Sequence, residues 1–229
     1  MDIKAYIERI NYDGPLEPAA ETLCGLHRAH MLAVPFENLD IHLDRPITLE
    51  DGSLFSKIVG SRRGGFCYEM NGLFASLLRG LGFSVQMLSA GVTRDDGTFG
   101  PPFDHMALLV QLDKRWLADV GFGDSFREPL LLDERNEQRQ DGFDYRIDDG
   151  ESLTLRRRGD DGLWKDQYRF TLRPYQYADY REMCHYHQTS SESPFTRRRV
   201  CTRATDDGRI TLSQMRLIIT RGGRFVSAS

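Results

Sequence analysis

SRRGGFCYEMNGLFASLLRGL, residues 61–81, decides how the rest of the chain is read. Two arginines and two glycines run into Cys67, after which Met70, Leu73, Phe74, Leu77, Leu78 and Leu81 recur at helical spacing. The cysteine therefore stands at the first turn of a helix. There the free backbone N–H groups and the positive end of the helix dipole favour a thiolate, the nucleophilic form of the side chain. Gly64 and Gly65 remove side chains where a substrate would approach. Most intracellular cysteines are small buried apolar residues, so Cys67 needs a positioned histidine before it reads as a nucleophile.

The segment RRGGFCYEMNGLF resembles the active-cysteine segment of the arylamine N-acetyltransferases, acetyl-CoA-dependent enzymes with a Cys-His-Asp triad. The likeness continues in the family's order through VPFENLDIHL (34–43), FDHMALLV (103–110), LADVGFGDSF (117–126) and YHQTSSESPFT (186–196), covering most of the chain. It implies a triad of Cys67, His105 and Asp119 in a cysteine-protease-like core. The implied reaction is ping-pong transfer of an acetyl group from acetyl-CoA, through a cysteine thioester, to an arylamine or arylhydrazine. Phe36 would line the acceptor pocket, and Gly123, Tyr186, Thr189 and Ser190 would lie along the CoA cleft. Family members usually continue for several tens of residues past this point, so a shortened last part with missing coenzyme contacts is expected.

With 229 residues and 40% hydrophobic content, the chain can bury a sizeable core in one large domain or two to three small ones. The net charge of −4 argues against a general nucleic-acid binder. Cys24, Cys67, Cys184 and Cys201 show no close pairing, and no long apolar run is present. A soluble cytoplasmic protein with reduced thiols and no membrane partner is expected. Cys184, His185, His187 and Cys201 have poor zinc spacing, and His27 and His30 read as polar helix residues; no metal is expected.

Taken in order, Ile3 to Ile10 and Pro18 to Met31 are helical, Val34 to Leu39 is a turn, and a further turn and helix span Arg45 to Gly60. Past Gly82 the period changes to that of strands: Phe83–Thr93, His105–Leu112, Arg115–Gly121, Leu130–Leu132, Phe143–Ile147, Ser152–Arg156 and Trp164–Leu172. A short helix follows from Tyr175 to Cys184. Strands at 200–202, 209–212, 217–220 and 224–227 close the chain, with Arg221-Gly222-Gly223 as a hairpin turn. The fold class is α+β: a helical bundle (1–82), a β-barrel-like middle (83–190) and a shortened α/β part (191–229).

The chemistry depends on register. A two-residue turn at 113–114 would place Asp119 opposite Leu108, on the face away from His105. A three-residue turn at 112–114 places it opposite Ala107, with His105 two positions off on the same face, within diagonal reach. The triad therefore predicts the longer turn. His105 would activate the cysteine, and Asp119 would hold the second ring nitrogen. Val92, Phe103 and Phe122 join Phe36 as candidate walls for a flat aromatic acceptor. Gly121 to Ser125 can form a small anion-binding nest, and the Cys67 backbone N–H is one candidate oxyanion donor. A Cys-His-Asp hydrolase or transglutaminase-like acyltransferase is the rival reading.

Overall fold

The computed structural model describes residues 1–159, 161–222 and 224–228. Helices α1 (Ile3–Ile10), α2 (Ala20–Ala33), α3 (Leu39–His42) and α4 (Asp51–Phe55), with a π-helical turn at Ser56–Gly60, surround α5 (Cys67–Gly80). Eleven of the fourteen residues of α5 are buried, as expected of a helix that is apolar on most sides. The expected turn at Val34 to Leu39 is instead a two-residue strand, β1 (Phe36–Glu37). Extended backbone lets its main chain pair with Cys201 and Thr202 on one side and bridge to Gly65 on the other.

The middle of the chain forms an eight-stranded antiparallel sheet, curled into a nearly closed barrel. Its strands are β2 (Ser84–Val92), β3 (His105–Gln111), β4 (Arg115–Ala118), β5 (Leu130–Leu131), β6 (Gln138–Gln140), β7 (Phe143–Asp148), β8 (Leu153–Arg158) and β9 (Trp164–Tyr175), in the order 5-4-3-2-9-8-7-6. Strand β6 has no apolar alternation and was not expected. Its place is explained by side chains: the Gln138 amide donates to the Leu131 carbonyl (2.9 Å) and accepts from its N–H (2.8 Å). Gln140 does the same with Glu128, at 2.8 and 3.0 Å. Two glutamines thus satisfy backbone groups where the barrel lacks a ladder.

After α6 (Tyr177–Thr189), longer than expected, and the turn α7 (Pro194–Arg197), strands β10 (Val200–Thr205), β11 (Gly208–Ser213), β12 (Arg216–Arg221) and β13 (Arg224–Ala228) form an antiparallel sheet with β1 at its edge. Arg221 pairs with Arg224 at the expected last hairpin, whose Gly223 lies outside the described residues.

Strand alternation divides the interior. Met106, Leu108 and Val110 of β3 face the core built on α5, while Ala107 and Leu109 face the barrel interior with Leu117, Phe126 and Tyr168. The α5 core also takes in Tyr180, Cys184 and Ala204, so helices, barrel and final sheet pack as neighbours. Each fully buried Leu or Phe contributes about 1.5–3 kcal/mol. Odd-numbered positions of the β3–β4 hairpin thus look into the barrel, and His105 is one of them.

Candidate active site

Cys67 is the first residue of α5, and the loop before it is held by buried charges. The Phe66 N–H donates to the Glu69 carboxylate at 3.1 Å, one half of a capping box. The other Glu69 oxygen takes Lys57 Nζ at 2.7 Å, and Lys57 also reaches Asp40 at 2.8 Å. Arg63 joins Asp40 (3.0 Å) to Glu37 (2.7 Å). Burial raises the Glu69 carboxyl to about 7, against the pull of Lys57. The two glycines serve this packing: a Cβ on Gly64 would lie 1.8 Å from the Pro35 carbonyl, and one on Gly65 2.8 Å from Glu69.

At Cys67 the pull of the helix start is opposed by burial. Burial pushes the Cys67 thiol well up, and the negative charges of Asp119 and Asp104 push the same way; the nearby Met106 backbone pulls it down. The dipole of one helix end is worth about 0.3–1 kcal/mol, too little to offset burial. A lone thiolate is unfavourable here.

The register of the hairpin is the one the chemistry requires. Gln111 pairs with Arg115 and Leu108 with Ala118, leaving the three residues 112–114 as the turn. Asp119, one residue past β4, therefore comes opposite Ala107. His105 Nε2 lies 2.7 Å from Asp119 Oδ2, both side chains being buried. The second carboxylate oxygen accepts from Asn71 Nδ2 (2.8 Å) and from the Gly121 N–H (3.0 Å). Burial raises the Asp119 pKa, but the adjoining His105 ring and these donors outweigh it and hold the carboxyl below its ordinary value. Gly121 also lets the chain pass the helix: a Cβ there would be 2.8 Å from Cys67 Cα.

Asn71 and Tyr168 were not singled out from the sequence, and His27 and His30 were not read as parts of the site. Asn71, one turn after Cys67 on α5, also donates to the Met106 carbonyl (2.6 Å) and accepts from the Val120 N–H (2.9 Å). Its i, i+4 relation to Cys67 was a usable signal. His27 on α2, read from the sequence as a polar helix residue, is wholly buried. Its Nε2 accepts from the Asp119 N–H at 3.0 Å, so Nδ1 carries the proton and donates to the Arg127 carbonyl at 2.7 Å. Burial holds its pKa down, at about 4. His30 is buried likewise, against the Tyr6 hydroxyl at 2.8 Å. Tyr168 packs its ring 5.2 Å from that of His105, and its buried hydroxyl has no hydrogen-bond partner among the described residues.

The expected acceptor-site residues fall into separate places. The Phe122 ring is edge-on to His105, 5.3 Å between centroids. A Cβ on Gly123 would lie 3.7 Å from the Phe36 ring, whose centroid is 6.1 Å from that of Phe195. Phe103 packs its ring on Tyr175 and Tyr180, its carbonyl accepting from the Tyr68 hydroxyl at 2.6 Å. The Val92 N–H donates to Asp104 at 3.1 Å. Tyr186, Thr189 and Ser190 end α6; the Thr189 hydroxyl donates back to the His185 carbonyl at 2.9 Å, and the Ser190 Oγ accepts from Glu192 at 3.2 Å. Among the described residues no group of three or more His, Cys, Asp or Glu is placed to hold a metal ion, and no helix is long and apolar enough to cross a membrane.

This fold and sequence are those of an N-acetyltransferase: residues 20–228 match the N-acetyltransferase family model. The chain is 35% identical to the arylamine N-acetyltransferase of Escherichia coli over 96% of its own length and 80% of that protein's. It superposes on the arylamine N-acetyltransferase of Salmonella typhimurium with a TM-score of 0.93 at 33% identity, covering 99% of this chain and 84% of that one. The Mycobacterium marinum arylamine N-acetyltransferase in complex with CoA gives a TM-score of 0.93 at 32% identity, covering 100% and 86%. The chain belongs to the arylamine N-acetyltransferase family.

Proposed function

We propose that this protein transfers an acetyl group from acetyl-CoA to the nitrogen of arylamines and arylhydrazines, through a thioester on Cys67. The observation that carries this reading is the His105–Asp119 hydrogen bond at 2.7 Å, with Asn71 of the Cys67 helix donating to the same Asp119 carboxylate at 2.8 Å. Because a lone buried thiolate is unfavourable, the proton leaves Cys67 for His105, and Asp119 stabilises the resulting imidazolium. The sulfur attacks the acetyl carbonyl, and the coenzyme sulfur departs with the proton from His105. In the second half the unprotonated amine attacks the thioester, His105 takes its proton, and the Cys67–acyl bond breaks. Ping-pong kinetics follow from this sequence.

In this reading Phe122, beside the His105 ring, is the nearest wall for a flat acceptor, with Phe36, Phe103 and Val92 around the approach. CoA runs past Gly123 and the α6 end at Tyr186, Thr189 and Ser190. Of the three parts 1–82, 83–190 and 191–229, the first supplies the nucleophile and the second the base and these coenzyme-side residues. The four free cysteines suit a cytoplasmic enzyme.

Intact mass spectrometry after incubation with acetyl-CoA, with Cys67→Ala as control, tests the reading. One acetyl group that depends on Cys67 and is discharged by an arylamine is expected. Acetylation that persists in Cys67→Ala, or an adduct discharged by water as fast as by amine, would sink it in favour of a hydrolase.

A further inference from the structure

Between barrel strands β7–β9 and the turns of the final sheet lies a cleft of about 520 Å³. It is lined by six basic side chains against four carboxylates, in a chain whose net charge is −4. Positive charge is therefore gathered here against the overall balance. At its centre Arg157 and Arg209, both largely buried, converge on one carboxylate. Arg157 reaches Asp124 Oδ2 at 3.2 Å and Arg209 reaches Oδ1 at 3.1 Å. Two guanidinium groups sharing one carboxylate leave a charge uncompensated at that pair, and the Asp124 side chain is 59% exposed.

Two further features point to an anion. Gly123, at φ +90°, turns the chain so that Asp124 and Ser125 line the cleft. The Ser125 residue is 7% exposed, and its hydroxyl has no partner among the described residues. A buried hydroxyl without a partner is costly and marks a place where a ligand can supply one. The cleft is also tied to the chemistry by the chain itself. From Asp119 to Asp124 is five residues, at most about 18 Å, a span within reach of a pantetheine arm.

We infer that this cleft seats phosphate groups of CoA, held by Arg157 and Arg209 with the Ser125 hydroxyl, and that Asp124 is the competing carboxylate the phosphate displaces. The inference rests on the proposed acetyl-CoA reaction for the identity of the anion. It adds a phosphate subsite distinct from the residues at the end of α6. Arginine suits the role because its planar fork binds phosphate oxygens in pairs.

Isothermal titration of the full chain with CoA reads the cleft without any chemistry. Arg157→Gln and Arg209→Gln are expected to weaken CoA binding ~10-fold or more, the worth of one charge-assisted contact. Asp124→Asn is expected to tighten it several-fold, an effect that damage to the fold does not produce. Inorganic phosphate should compete with CoA in wild type and less in Arg157→Gln. Unchanged CoA affinity in Arg157→Gln together with unchanged or weaker affinity in Asp124→Asn overturns the assignment. Arg209 is the more buried of the pair, so if its variant does not fold, the other two decide. Acetylation of Cys67 by 4-nitrophenyl acetate, which has no phosphate, tests the transferase reading separately.

Discussion

The two halves of the site are built in opposite ways. The Cys67 loop rests on Glu37, Arg63, Asp40, Lys57 and Glu69, a chain of full charges mostly out of water. The His105–Asp119 half has one carboxylate and is otherwise set by neutral groups: Asn71, the Gly121 N–H and His27. Charges hold the loop, whereas the other half leaves Asp119 as the carboxylate bonded to His105 and surrounds it with neutral donors and acceptors. The loop should therefore fail by unfolding and the hairpin by losing activity.

The sharpest test of that contrast is Asp119→Asn. The amide keeps the shape but supplies no charge to an imidazolium and favours the wrong tautomer, so acetyl transfer should fall ~10³–10⁴-fold. Thermal stability should change far less than activity. A variant that unfolds instead would show that Asp119 is a structural carboxylate and break the comparison.

Lys57→Met attacks the other half. It leaves Glu69 and Asp40 facing each other without their shared cation, and breaking a buried pair costs about 3–5 kcal/mol. Glu69 already lies near 7, so it should become protonated in the variant. Chemical denaturation at pH 8 and at pH 6 should show a larger deficit at pH 8, where Glu69 must be charged. An equal deficit at both would mean that Lys57 acts by packing alone.

His27→Leu belongs to the neutral half and should cost less, roughly 2–4 kcal/mol, by leaving the Asp119 N–H and the Arg127 carbonyl without partners. It also predicts a pH effect. In the unfolded chain the imidazole titrates at 6.5, but in the fold only at about 4. Between those values the unfolded state binds the extra proton. Stability is thus fully present above pH 6.5 and is lost as pH falls to about 4, by on the order of 3 kcal/mol. His30 is depressed in the same direction by burial. Stability curves from pH 7.5 to 4 should be flatter in His27→Leu than in wild type, though not flat.

What the sequence made legible follows the same division. Period-two alternation and the need to join His105 to Asp119 fixed a three-residue turn at 112–114, because a one-residue slip puts the two side chains on opposite faces. The helix beginning at Cys67 was equally plain from its apolar spacing. The contact of His27 with Asp119 spans 92 residues and has no local pattern to announce it. The glycines before Cys67 were visible, but their reason was not, since Pro35 comes against Gly64 only once β1 is in place. The place of Cys67 at a helix start is written in sequence, and its burial is not.

Gln138→Ala is the mildest expected change and concerns the barrel that keeps the neutral half dry. The run Gln138-Arg139-Gln140 has no apolar face to hold it, yet β6 closes on β5 through the two Gln138 contacts to Leu131. Losing them exposes a backbone N–H and C=O at a half-buried seam, where water can replace the partner. The cost should be about 1–2 kcal/mol. Hydrogen exchange gives the sharper readout. The Leu131 N–H should exchange roughly 10-fold faster, with the β3 amides unchanged, because opening the β5–β6 seam leaves the 3-4 and 2-3 ladders paired. If exchange rises through β3 as well, the glutamine seam supports the whole barrel, and the His105 half owes its rigidity to closure and not only to its own hydrogen bonds.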